Sequence, residues 1–220
     1  MIAPMHGFKT AHGLKYCPHC GEPSIDYRFN TGIDKVLKLI QISISISSTD
    51  ALQSKILNQS IVTSLCSVYE VYLREFYADI LNVKYVRSNR SLYTKFLKDC
   101  KNDFLNPGKT TDRLRKELMV DYKQIVGVNA HKALILLSDY RNVIVHNNGI
   151  CDDAFISKHP NTEKHSQIMP TLKTTLALTQ VVQISAKKLD LVYQSEIRNA
   201  IIDLVSEQMN ALKSKSGSTY

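Results

Sequence analysis

The chain has 220 residues, 44% of them hydrophobic, enough to bury one substantial core. Eight glycines and six prolines are too few for a turn-rich β architecture, so the composition favours helices. A formal charge of +8 suits a polyanionic partner, and no uncharged apolar run approaches the ~20 residues that would span a bilayer. The five cysteines are an odd number, and the start (Met-Ile-Ala-Pro-Met-His-Gly) has no basic region followed by an apolar run. The expectation is a cytoplasmic protein with reduced thiols.

Residues 1–32 are polar, with three glycines before Pro23 and no helical period. Cys17-Pro-His-Cys20-Gly21 is half of a zinc ribbon: two cysteines two residues apart can bite one tetrahedral ion, and the glycine permits the tight turn. No second such pair exists, so the remaining ligands would come from histidines, with His6 and His12 the leading candidates and His19 also near. The segment is read either as a small structural zinc-binding appendage or as an unmetallated surface loop.

Ile33–Ser48 begins with helical spacing (Ile33, Val36, Leu37, Ile40) and ends in the alternation Ile42-Ser-Ile-Ser-Ile-Ser, which taken alone suggests a strand. Its place between helical segments favours helix. Thr49 or Asp50 can cap the next helix, expected to reach about Asn82 with a core stripe of Leu65, Tyr69, Tyr72, Leu73, Phe76 and Ile80. Cys66, Glu70, Arg74 and Tyr77 share a flank of that helix. Glu70 has two readings: an exposed i,i+4 ion pair with Arg74, or a cleft residue fixing Arg141 or His146.

Val83–Lys109 interleaves Lys84, Arg87, Arg90, Lys95, Lys98 and Lys101 with Tyr85, Tyr93 and Phe96. Such a mixture suits RNA, whose unpaired bases stack on rings, and equally suits a solvated helix face. A short helix is expected around Ser91–Lys101, and a second over Thr110–Val126 with Arg113 exposed and Met119 buried. Asn129 can cap the helix after that.

That helix ends in Asp139-Tyr-Arg-Asn-Val-Ile-Val-His-Asn-Asn-Gly-Ile-Cys151, the stretch that carries chemistry. Arg141 offers a planar fork of donors for phosphate, and His146 is the side chain best placed to move protons at neutral pH. Ala133, Leu136, Leu137, Tyr140, Val143 and Ile144 form one apolar stripe, with Arg141, Asn142, Val145 and His146 on the other side. Five positions apart, Arg141 and His146 diverge by roughly 140° and are offset by about 7.5 Å, so two copies across a two-fold axis would close one shared cleft. Asn142, four residues before His146, is placed to orient its ring. Asn147-Asn148-Gly149 is a plausible terminator.

These residues resemble the Arg-x4–6-His signature of HEPN ribonucleases, Asn142 matching the polar residue favoured after the arginine. The segment Ser67-Val-Tyr-Glu70-Val-Tyr-Leu is similar to the first core helix of HEPN toxins from abortive-infection and toxin–antitoxin systems. The resemblance covers roughly 33–213. It implies an all-α HEPN-like helical bundle over that range, flanked by the zinc-knuckle-like segment read from the residues of 1–32 and by a Ser-Lys-Gly-rich stretch at 214–220 that reads as a flexible tail. It further implies metal-independent endoribonuclease activity in a toxin or anti-phage effector, acting as a homodimer, with an antitoxin or regulatory protein as a further partner. Members paired with nucleotidyltransferase antitoxins carry a tyrosine two residues after the histidine; this chain has Asn148, so silencing at that position does not carry over.

Beyond the motif, 151–159 reads as a helical turn or two, and His159 and His165 as exposed loop residues. Pro170 permits a fresh start, and 171–213 keeps helical spacing; one rod of that length is about 65 Å, so a break near Asp190 or a reach across a partner is expected. Set against the ribonuclease are two rivals: an inactive HEPN-like module that binds nucleotide, RNA or protein, and a zinc-dependent regulator of nucleic acid.

Overall fold

The computed structural model describes residues 16, 23–85, 89–100 and 103–216. Among them the protein is all-α, with no strand and only two isolated bridges, Tyr16 with Pro23 and Ile150 with Gln167. No helix of the described residues is long and apolar enough to cross a membrane.

The first helix, α1 (Ile25–Ile46), starts eight residues earlier than the periodicity suggests. Pro23 stops the preceding chain and the Ser24 hydroxyl accepts the Tyr27 N–H at 3.2 Å, so the helix is capped at its true start. Gly32 reads as a loop signal but serves packing. A Cβ there would lie 2.7 Å from Val68 Cγ2 on the next helix, so glycine permits the close approach.

The alternating Ile-Ser run stays helical. Ile42 and Ile44 are exposed, while Ser43 is fully buried and its hydroxyl meets Ser54 Oγ at 2.9 Å and Asn58 Oδ1 at 3.0 Å. The period of two thus hides a polar tie between α1 and α2 (Ala51–Tyr85). Asp50 caps α2, accepting the Gln53 N–H at 2.8 Å. The expected stripe of α2 is buried from Leu65 to Ile80, and Tyr77 from the flank is buried with it.

After α3 (Arg90–Asp99) the chain departs from expectation. Instead of one helix over 110–126 there is a 3₁₀ turn at Asp103–Leu105, then α4 (Pro107–Arg113), a π turn at Leu114–Leu118, and α5 (Tyr122–Val126). The wider π turn shifts the helical phase. Met119, past that turn and in the left-handed region at φ 60°, swings out to 85% exposure; Arg113, in α4 before it, is held inward by its ion pairs with Asp103 and Glu117. Tyr77 donates to the same buried Glu117 carboxylate.

Gly127, at φ 94°, precedes α6 (Val128–Asn147), which has no side-chain cap; Asn129 lies inside the helix and not at its start. A short α7 (Asp153–Lys158) follows, and then α8 (Leu172–Ser216) as one unbroken helix of about 68 Å. The expected break near Asp190 is absent because that residue is an anchor, its carboxylate accepting the hydroxyl of buried Tyr72. Beyond Tyr193, no described side chain of α8 is buried, and Ile202, Val205 and Met209 are exposed. The core thus sits where α1, α6 and the first half of α8 pack around α2.

Candidate active site

The site is built at the C-terminal end of α6. Asn148 takes the left-handed conformation at φ 52° and Gly149 follows at φ 81°. Both N–H groups return to the Val143 carbonyl and stop the helix. A left-handed cap suits asparagine, which accounts for its presence two residues after the histidine. His146 lies in the last turn and is exposed, with Asn142 exposed one turn before it.

Arg141 and His146 meet within one chain: Arg141 Nη1 donates to His146 Nε2 across 3.2 Å. The expectation that they need a second copy to converge is corrected here, because the long arginine side chain wraps the helix and spans the angular gap between the two Cα positions. Arginine can only donate, so in this arrangement Nε2 presents its lone pair and the ring proton sits on Nδ1. Asn142 also departs from expectation. Its Oδ1 accepts from Arg141 Nη1 at 3.2 Å, so it orients the guanidinium and makes no hydrogen bond to His146.

Glu70 makes the i,i+4 pair with Arg74, although its side chain is only 14% exposed and so is not the open surface partner that the spacing suggests. Its Oε1 lies 2.5 Å from Arg74 Nη2, and no hydrogen bond joins it to Arg141 or His146. It is still part of the neighbourhood. Burial pushes the Cys66 thiol up to about 11, with the Arg141 charge opposing and the Glu70 charge reinforcing.

His146 opens onto a cleft of about 190 Å³ between α6 and α7, lined also by Asp139, Asn142, Phe155 and Lys158. Beneath it Val143, Cys151, Phe155 and Ile168 form a small second core. Asp139, 6% exposed, holds Lys158 Nζ at 2.7 Å with one carboxylate oxygen and His159 Nε2 at 3.1 Å with the other. His159 is therefore no free loop residue: it bonds to Asp139 and its ring packs 4.3 Å from that of Phe155. Sequence reasoning missed this trio, although Asp139 stands seven residues before His146 and so on the same helical stripe. Asp152 caps α7 at the cleft rim. The Phe155 N–H and the Asn147 amide hold its carboxyl below the usual carboxylate range.

The basic α3 sorts its residues by type. Arg90, Lys95 and Lys98 face solvent, whereas Tyr93 and Phe96 are half-buried against the core and Tyr85 stacks edge-on with Phe96 at 5.7 Å. It presents cations and no stacking platform. The proposed zinc ligands His6, His12, Cys17 and Cys20 lie outside the described residues. Among the described ones, no group of three or more His, Cys, Asp or Glu side chains could hold a metal. No protein-family model matches the chain, and neither does any curated protein or solved structure.

Proposed function

We propose that the protein is a metal-independent endoribonuclease of HEPN type, working as a homodimer in a toxin or anti-phage role. The observation that carries the reading is the contact of Arg141 with His146 Nε2 at the mouth of a cleft, on an exposed face. When RNA enters, the guanidinium transfers its donors to the non-bridging oxygens of the scissile phosphate and stabilises the charge that grows there. Nε2 is then free to take the proton of the ribose 2′-hydroxyl. The 2′-oxygen attacks phosphorus, the bond to the 5′-oxygen breaks, and a 2′,3′-cyclic phosphate remains. The leaving 5′-oxygen needs a proton, which a second copy's histidine can supply across a two-fold axis.

Expressing the wild-type chain and His146→Ala, then comparing growth and total RNA, tests the reading. Wild type should arrest growth and fragment RNA while the variant does neither. A dimer that binds RNA and leaves it intact would instead make the protein a binding module.

A further inference from the structure

We propose that Lys158, held by the buried carboxylate of Asp139, binds a second phosphate, the one next to the scissile phosphate of an RNA strand laid along the α6–α7 cleft. The identity of the ligand rests on the ribonuclease reading; the site itself rests on geometry. Asp139, Asn142, Val143 and His146 fall at i, i+3, i+4 and i+7 on α6 and all line the cleft. Asp139 and His146 are thus offset by only about 20° around the helix and about 10.5 Å along it. The stripe forms a floor with His146, which Arg141 contacts, at one end and the Asp139–Lys158 pair at the other.

Two features mark Lys158 as more than a brace. Asp139 already has a partner from the protein interior, since His159, packed on Phe155 and one-quarter exposed, donates to one of its oxygens. Lys158 adds a cation whose side chain is 57% exposed and lines the cleft. An ammonium has three donors and Asp139 takes one, leaving the others for an incoming anion. The second feature is preorganisation: a free lysine loses much rotamer entropy when it binds, and the 2.7 Å bond to a fixed carboxylate removes part of that cost beforehand. The other acid of the cleft, Asp152, is engaged by the Asn147 amide and the Phe155 N–H, close to the His146 end. Asp139 acts here as a positioning residue.

The test uses a fluorescein-labelled ten-nucleotide RNA and a set of copies in which one phosphate at a time is a neutral methylphosphonate. Binding by anisotropy is measured with His146→Ala, which prevents cleavage, alone and combined with Lys158→Gln or Lys158→Arg. Lys158→Gln should weaken binding of the all-phosphate RNA by about three- to tenfold and lower the slope of log affinity against log salt by about 0.7. Lys158→Arg should recover most of the affinity. One methylphosphonate should cost the single variant the same factor and cost the Lys158→Gln combination nothing more. An equal loss on every RNA of the set, no loss at all, or absence of RNA binding would each overturn the proposal. Lys158 is exposed and outside the core, so equal melting temperatures should exclude a folding defect. If the linkage pattern holds but wild type cleaves nothing, the ribonuclease reading falls and the phosphate site stands. If wild type cleaves but the pattern is absent, the reverse follows.

Discussion

Arg141 donates to Nε2 of His146 across 3.2 Å, although their Cα positions point away from each other around α6. In the proposed reaction that contact would occupy the lone pair needed for proton transfer, and a phosphate competing for the guanidinium would free it. Removing either partner should then act on chemistry and not on folding. His146→Ala is expected to reduce cleavage by about 10²-fold or more, and Arg141→Ala by about 10²–10³-fold. Arg141→Lys should restore little, because a point charge cannot reproduce a fork that serves phosphate and Asn142 together. Both variants should stay within about 0.5 kcal/mol of wild type in denaturant titrations. Losses the size of a core deletion would show a structural role instead.

Glu70 and Asn142 separate direct from indirect support. Glu70 is bonded to Arg74 and makes no hydrogen bond to either motif side chain, so Glu70→Gln should change cleavage by less than about threefold, the scale of one i,i+4 pair. Asn142→Ala releases the guanidinium from its other hydrogen-bond partner among the described residues and should cost about tenfold, mostly in KM. A larger effect at Glu70 than at Asn142 would reverse the roles assigned to them.

Much of this is legible in the residues and some is not, for reasons that differ from place to place. The stripe of α2 follows directly from its period, and the Asn148-Gly149 stop from the left-handed preference of those residues. Ser43 misleads because its period of two comes from polar burial and not from a pleat. Met119 leaves its expected environment past a π turn, which shifts the phase without any sequence punctuation, and Arg113 leaves its own through ion pairs with Asp103 and Glu117. Asp139 looks like an ordinary helix-surface acid until α7 folds over it, and that docking depends on contacts with 150 and 166–169 that no local pattern announces.

His131 gives the fold a pH dependence independent of catalysis. It is 7% exposed, 3.0 Å from the Thr111 hydroxyl and edge-on to the Tyr122 ring. Burial holds its imidazole below the ordinary 6.5, with the Pro107 carbonyl pulling the other way. The unfolded chain therefore takes up the proton first, and stability is lost as pH falls from about 6.5 through the lower folded value. Glu75 acts in the opposite sense, since burial raises its carboxyl despite Arg28. Asp121 and Asp152, both lowered, act in the same sense as His131 but only below about pH 4. Melting temperatures between pH 7 and 5 should fall less steeply in His131→Gln than in wild type. Parallel slopes would remove His131 from the account.

The N-terminal Cys-Pro-x-Cys-Gly should bind one zinc apart from the chemistry. Metal analysis is expected to give about one equivalent per chain, and less than half in the Cys17→Ser/Cys20→Ser variant. Substoichiometric metal in the wild-type chain would favour an unmetallated loop. Replacement of His6 and His12 in turn would show whether they complete the ligand set.

The last prediction concerns the nucleophile. An arginine and a histidine can stabilise charge and move a proton, but neither supplies an oxygen to attack phosphorus. The attacking group proposed is the substrate's own 2′-hydroxyl, with His146 Nε2 as the base that takes its proton. DNA of the same sequence should be bound yet uncut, as should RNA carrying a single 2′-O-methyl group at the cleavage position. Moving that methyl group one nucleotide away should restore cleavage, which controls for steric effects. Products should end in 2′,3′-cyclic phosphate, detectable as a mass lower than that of the open 3′-phosphate by one water, roughly 18 Da. Cleavage should persist in excess chelator, with loss of the zinc appendage monitored separately by metal analysis. High salt should slow the reaction, since a chain of charge +8 would gather the proposed polyanionic substrate partly by counterion release. Cleavage of the 2′-O-methyl substrate at the wild-type rate would rule out this mechanism, because no other hydroxyl of the RNA can form the cyclic product.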